Sequence, residues 1–147
     1  MTEETRSLAA HSFNAAWDAL EANEFESAVA LARESLRLWA LVGGNREMCI
    51  GKWMIGRTLA FAGDFGSARA AADAAEELLN SLGSEAEDWL HASVAELHAR
   101  AHSNEPAGTS YAQLYETAEA LIVGIGNAED RELIAAQFSD LPSPTAA

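Results

Sequence analysis

The chain has 147 residues, a net charge of −14 and 49% hydrophobic residues, enough for one domain with a hydrophobic core and too few for two of ordinary size. Nine basic residues against 23 acidic ones argue against nucleic acid or an anionic membrane as a partner. A single cysteine, no basic start followed by an apolar run, and no stretch near the roughly 20 apolar residues of a membrane helix together predict a soluble, cytoplasmic protein.

The composition favours helices along most of the chain. Alanine makes up about a fifth of it, and alanine is the residue that favours helices most. All three prolines lie at or beyond Pro106, so no earlier helix contains a proline, which would destabilise a helix interior by about 3 kcal/mol. Residues that cap helix starts recur at regular steps: Asn23, Asn45, Asp64, Ser84 and Asn127. The predicted helices are residues 5–22, 25–42, 45–62, 65–82, 85–102, 109–124 and 127–138. Residues 139–147, which contain Pro142 and Pro144, are predicted to form a disordered tail.

The apolar residues repeat at an interval of forty. A shift of that length aligns Phe13 with Trp53, Ala16 with Gly56, Phe25 with Phe65, Ala28 with Ala68, and Leu38 with Leu78. The interval equals two helices, so the chain is predicted to consist of the helix pairs 5–42, 45–82 and 85–124. The third pair matches only with three residues inserted between 103 and 109, which predicts a longer turn inside it.

The aligned columns resemble the tetratricopeptide repeat. In the second pair Gly56 occupies the small position where two helices cross, Gly63 to Phe65 form the turn, and Ala68 and Ala75 fill the two alanine positions. The third pair departs from the pattern, because Glu96 stands where glycine or alanine is expected. The interval also exceeds the usual length of about 34 residues. The resemblance covers roughly residues 9–138. It implies an all-α, right-handed superhelix of three helix pairs within one domain, 1–138, that is closed by a capping helix at 127–138.

The resemblance further implies a concave binding face on the first helix of each pair. The residues predicted to line this groove are Phe13, Trp17, Trp53, Arg57, Phe61, Leu97 and Arg100. Two arginines could bind a carboxylate of a peptide, and the aromatic rings offer the large contact areas of binding hot spots. The alternative interpretation is that these rings are core residues, because aromatic side chains at helical spacing are usually buried.

Few residues in the chain indicate catalysis. His98 and His102 are one helical turn apart and could both reach a zinc ion, but the sequence shows no third ligand, and exposed or hydrogen-bonded histidines are the alternative. There is no Gly-x-Ser-x-Gly motif and no phosphate-binding loop, and Cys49 has no activating neighbour in sequence. Neither an enzymatic activity nor a cofactor is expected.

The sequence thus predicts a non-enzymatic interaction module that binds a peptide or a partner helix in its groove. Two alternatives stay open. The groove could be a homodimer interface of a self-associating scaffold, or the histidines could serve a metal-binding or small-ligand-binding protein.

Overall fold

A computed structural model describes residues 2–144, which form an all-α protein. Its helices are α1 (Thr2–Glu21), α2 (Phe25–Val42), α3 (Asn45–Phe61), α4 (Phe65–Leu82), α5 (Asp88–Ala101), α6 (Thr109–Val123) and α7 (Ala128–Phe138). A short 3-10 turn, Gly83–Glu85, precedes α5. Every predicted helix is present, with ends shifted by three residues at most, and the long turn predicted inside the third pair separates α5 from α6. Within residues 2–144, none of the helices combines the length and the apolar character that crossing a membrane requires.

The predicted helix caps form only in part. The side chains of Asp64 and Asn127 accept hydrogen bonds from the backbone N–H groups of Ser67 and Asp130, as capping residues do. Asn23 instead adopts a left-handed conformation, with φ of 60°, in the turn before α2. The Ser84 cap is not formed either, because the 3-10 turn delays the start of α5 to Asp88.

The helices form two layers, and the helices within one layer lie closer together than those within the other. Each helix from α1 to α6 packs against the next, and α1 contacts α3, which in turn contacts α5. Over the described part of the chain, the backbones of α2, α4 and α6 stay apart, with no Cα atoms of two of these helices within 8 Å of each other. The inner layer of α1, α3 and α5 is therefore continuous, while the outer helices are spread apart.

One hydrophobic cluster joins α1 through α5. It includes Ala16 of α1, Ala32 of α2, Met54 of α3, Ala72 of α4 and Leu90 of α5, all nearly or completely buried. Two smaller clusters hold α6, α7 and the segment after α7 against α5. The first five helices thus share a core, and the C-terminal part is attached to it through α5.

Small residues permit the close contacts inside this core. A Cβ atom on Gly56 would lie 2.7 Å from Leu97 Cδ2 and 3.2 Å from Ala71 Cβ, and one on Gly51 would lie 2.7 Å from Leu36 Cδ1. Such distances are too short for unstrained carbon contacts. The glycine at the predicted crossing position therefore faces helices on both sides.

Residues 139–144 do not extend away as the predicted disordered tail. Leu141 is buried in a cluster with Ala99 and Tyr111, and the Tyr111 hydroxyl donates a hydrogen bond to the carbonyl oxygen of Pro142. Asp140 forms an ion pair with Arg100. The two prolines suggested disorder, but Leu141 packs into an apolar cluster and Asp140 pairs with Arg100. Residues 145–147 lie outside the described part of the chain.

Candidate functional site

The structure closes most of the groove predicted on the inner layer. The seven residues lie on α1, α3 and α5 as predicted: Phe13 and Trp17 on α1, Trp53, Arg57 and Phe61 on α3, and Leu97 and Arg100 on α5. Trp53, Arg57, Leu97 and Arg100 are buried, whereas Phe13, Trp17 and Phe61 are half-buried. The structure therefore places four of the seven residues in the protein interior, but of the four aromatic rings only Trp53 is buried.

An ionic cluster of Arg57, Glu96, Arg100 and Asp140 fills the space between α3 and α5. Glu96 is 1% exposed and is contacted by both arginines. Arg100 Nε donates to Glu96 Oε2 at 2.9 Å, and Arg57 Nη1 lies 3.3 Å from Glu96 Oε1. Arg100 Nη2 also donates to Asp140 Oδ1 at 2.6 Å and to the carbonyl oxygen of Gln137 at 2.8 Å. Two positive and two negative charges thus cancel within the cluster.

Aromatic rings surround the guanidinium groups of this ionic cluster. The guanidinium carbon of Arg57 lies 5.2 Å from the ring centres of both Trp17 and Phe61, and that of Arg100 lies 4.8 Å from the Phe61 ring. These distances are typical of cation–π contacts. Four of the residues expected to bind a ligand, Trp17, Arg57, Phe61 and Arg100, therefore contact one another.

Burial and charge act against each other on the pKa values of the cluster. Burial lowers the pKa of Arg57, and the nearby Glu96 carboxylate offsets this only in part. For Arg100 burial acts in the same direction, but Glu96 and Asp140 together outweigh it and raise the pKa. For Asp140 burial alone would raise the pKa, yet the hydrogen bonds and charge of Arg100 hold it below its usual value. The net pKa shifts of Arg100 and Asp140 therefore favour their charged states, whereas the net shift of Arg57 favours its neutral state.

Arg57 and Arg100 are therefore not available for the carboxylate of a peptide. Their partner Glu96 was not recognised as a functional residue in the sequence, although its position carried a signal. It interrupts a column of small residues, with Ala16 and Gly56 at the equivalent positions of the earlier pairs. A charged residue at a position where two helices cross indicates a buried partner of opposite charge.

A second arrangement of arginines and aromatic rings is open to solvent. A pocket of ≈ 390 Å³ lies where the first part of α1 meets the end of α2 and the start of α3. It is lined by Arg6, Ala10, Phe13, Asn14, Trp39, Arg46, Glu47 and Ile50, and is called the end pocket below. Phe13 is the member of the predicted groove that lines it.

The two arginines of the end pocket are held at its edge and stay accessible. The Arg6 side chain is 43% exposed, lies 5.8 Å from the Trp39 ring centre and donates to the carbonyl oxygen of Val42 at 2.9 Å. Arg46 is 46% exposed and forms a two-pronged contact with Glu87, with its Nη2 2.6 Å from Glu87 Oε2. These contacts orient the guanidinium groups without burying them.

The histidines are arranged differently from the predicted zinc pair. His102 Nδ1 forms a hydrogen bond with the backbone oxygen of His98, at 3.0 Å. His98 instead faces Asp73 and Glu76 of α4, and one ligand atom from each of these three residues lies within 4.8 Å of the others. The side chains that face His98 thus come from the preceding helix, and His102 does not belong to this group.

Cys49 of α3 is fully buried. Its Sγ donates to the carbonyl oxygen of Ala75 at 3.3 Å, and burial raises the pKa of the thiol to about 11. The thiol is therefore protonated at neutral pH.

No protein-family model, curated protein or solved structure matches this chain.

Proposed function

We propose that this protein is a non-enzymatic partner-binding module, and that its end pocket binds a segment of another protein. The segment would place one aromatic or aliphatic side chain against Phe13, Trp39 and Ile50 and a neighbouring carboxylate against Arg6 or Arg46. The observation that carries the proposal is the open pocket itself, because it joins half-buried rings to two accessible guanidinium groups.

The proposed architecture is a right-handed superhelix of the tetratricopeptide type. It is supported by the forty-residue interval of the helix pairs and by the continuous inner layer beneath spread outer helices. In such an array the inner helices form the concave side. The end pocket is lined by α1 and α3 of the inner layer and by Trp39 at the end of α2.

Charge favours the proposed occupant. The chain carries −14 overall with nine basic residues, two of which stand at the edge of this pocket. Both arginines already have one carboxylate partner, since Arg6 Nη1 lies 3.5 Å from Glu47 Oε1 and Arg46 Nη2 lies 2.6 Å from Glu87 Oε2. Unlike Arg57 and Arg100 they are exposed, and among the hydrogen bonds of residues 2–144 none uses Arg6 Nε or Arg46 Nη1, so each guanidinium retains an N–H group for a further carboxylate. The rings supply apolar contact area, and aromatic and arginine residues are the most frequent binding hot spots.

The proposal is tested by selecting peptides from a random displayed library on the native protein. We expect the selected peptides to share an apolar residue next to an acidic one. Trp39→Ala should weaken their binding by about 2 kcal/mol, roughly 30-fold in Kd, and Arg46→Ala should also weaken it. Leu133→Ala and Arg33→Ala are matched controls, because Leu133 of α7 and Arg33 of α2 are exposed outside the end pocket and should leave the Kd unchanged.

Two results would contradict the proposal. One is a set of selected peptides whose binding is insensitive to both pocket substitutions. The other is a dimer in light scattering that Trp39→Ala converts to a monomer, because the pocket would then be the interface of a self-associating scaffold.

A further inference from the structure

We infer that Asp73, Glu76 and His98 form a binding site for a divalent transition-metal ion. The two carboxylates are three residues apart and therefore lie on the same face of α4, and His98 of α5 faces them. One ligand atom from each side chain lies within 4.8 Å of the other two. This inference is independent of the end pocket, which lies on other helices.

The imidazole nitrogen that faces the carboxylates has no hydrogen-bond partner. His98 Nε2 is shielded from solvent, and it lies 3.6 Å from Glu76 Oε1, which is beyond hydrogen-bond range. A buried polar atom left unpaired in this way is costly, and most such atoms in folded proteins are paired. The structure thus leaves one donor or acceptor site of His98 to be completed by something else.

The distance between His98 Nε2 and Glu76 Oε1 is too long for a hydrogen bond but suits two ligands of one metal ion. Ligands about 2.0–2.1 Å from a tetrahedral zinc ion are about 3.3–3.4 Å from each other. The observed 3.6 Å between Nε2 and Oε1 is within a few tenths of an ångström of that distance. Small rotamer adjustments of the exposed Asp73 and Glu76 would bring the third atom into range.

The ligand set selects the class of metal. Imidazole nitrogen favours zinc and neighbouring transition metals, whereas Mg²⁺ and Ca²⁺ prefer sites made of oxygen alone. Within residues 2–144, the ion-pair partner of Glu76 is His98 itself, at 3.6 Å, and no lysine or arginine pairs with Asp73 or Glu76. These two carboxylates therefore lack the arginine partner that neutralises Glu87 and Glu96.

The site adjoins a cleft that leaves room for a further ligand. Glu76 and His98 line a cavity of ≈ 200 Å³ between α4, α5 and α6, together with His91 and Leu114. Three protein ligands with an accessible fourth position are typical of zinc sites that bind water or a small molecule. An ion held here would also bridge α4 to α5, which are consecutive outer and inner helices.

The experiment is calorimetric titration of the native protein with ZnCl₂ and, separately, with MgCl₂. We expect one saturable Zn²⁺ site per chain and no saturable Mg²⁺ binding over the same concentrations. Glu76→Gln and His98→Gln should each weaken Zn²⁺ binding at least about tenfold, since even changes to groups behind the metal ligands cost about 10–100-fold. Zn²⁺ should raise the melting temperature of the native protein more than that of either variant.

Matched controls separate this site from the general acidity of the surface. Glu77→Gln removes the same charge from the adjacent exposed residue, and His11→Gln removes an exposed histidine of α1. Both should bind Zn²⁺ within about twofold of the native protein. The inference is overturned if the native protein shows no saturable Zn²⁺ binding, or if Glu77→Gln weakens binding as much as Glu76→Gln does. Because Glu76 is exposed, its substitution leaves the folded protein available for measurement.

Discussion

Gly56 of α3 and Glu96 of α5, which the forty-residue shift of the sequence aligns, are surrounded in opposite ways. In the second pair Gly56 lies against Leu97 and Ala71, so the crossing is closed by apolar contact. Glu96 lies on α5, and its buried carboxylate contacts Arg57 of α3 and Arg100 of α5. The surroundings of Gly56 leave no space for an added carbon atom, whereas those of Glu96 supply opposite charges.

The difference affects how each crossing responds to change. Apolar packing loses stability gradually, in proportion to the atoms that clash or are lost. A buried ion pair responds abruptly, because removal of one partner leaves the other charged and without solvent. The third pair should therefore be more sensitive to a loss of charge, and the second to an increase in size.

The largest expected effect follows from removing the central carboxylate. Glu96→Gln leaves Arg57 and Arg100 buried with Asp140 as their remaining carboxylate, and should lower the free energy of unfolding by about 3–5 kcal/mol. Urea denaturation followed by circular dichroism measures the change. The exposed Glu77→Gln should stay within about 0.5 kcal/mol of the native protein. A loss below 1 kcal/mol for Glu96→Gln would mean that the two arginines do not depend on this carboxylate.

The apolar crossing is tested by an increase in size. Gly56→Leu should lower the free energy of unfolding by about 1–3 kcal/mol, because even a Cβ atom there would lie 2.7 Å from Leu97. Gly66→Leu is the matched control, since a Cβ atom at Gly66 has no atom within 4 Å. An unchanged melting temperature for purified Gly56→Leu would contradict the tight crossing.

A smaller loss of stability is expected for Asp140, which lies at the exposed edge of the ionic cluster. Asp140→Asn should lower the free energy of unfolding by about 1 kcal/mol, because half of the Asp140 side chain is in solvent and its pair with Arg100 is partly screened. Arg100 lowers the pKa of Asp140 from the usual value of 3.8, so the folded state binds fewer protons than the unfolded state near that pH. The stabilisation is thus complete well above pH 4 and is lost as the pH falls through the lowered pKa of the folded state.

The measurement is urea denaturation of the native protein and Asp140→Asn between pH 2 and pH 7. The difference between them should be constant near neutrality and should shrink in acid. A difference that grows as the pH falls would contradict the assigned direction of the pKa shift.

The smallest expected changes in the free energy of unfolding come from replacing two buried serines. Ser93 Oγ, next to the ionic cluster on α5, has no hydrogen-bond partner, so Ser93→Ala should change the free energy of unfolding by less than about 0.5 kcal/mol. Ser35 Oγ in the first pair donates to the carbonyl oxygen of Ala9 at 2.8 Å, and Ser35→Ala should cost about 1 kcal/mol. Thermal denaturation of both variants tests the contrast, and an equal loss in the two would contradict it.

The sequence predicted the helices well because their signals are local. Apolar spacing and the position of prolines depend on neighbours a few residues away, so all seven helices were placed within three residues of their ends, even though the Asn23 and Ser84 caps do not form. The forty-residue interval aligns residues of different helix pairs with one another. It also placed the seven proposed groove residues on the correct helices.

The extent to which those seven residues are buried could not be predicted in the same way. Whether Arg57 and Arg100 face solvent depends on Glu96 and on Asp140, and the contact with Asp140 joins residues forty positions apart through the packing of the segment after α7. The partners of His98 were missed for a related reason. They lie on α4, and the register between two packed helices is set by side-chain packing, not by either helix alone.

The attachment of residues 139–144 changes where this domain should be considered to end. A shortened protein that stopped at Phe138 would contain all seven helices and would still lack Asp140 and Leu141. We expect it to expose the Tyr111 ring and to leave a positive charge on Arg100 poorly compensated. The smallest unit suitable for expression or for fusion to another protein is therefore longer than its helical content indicates.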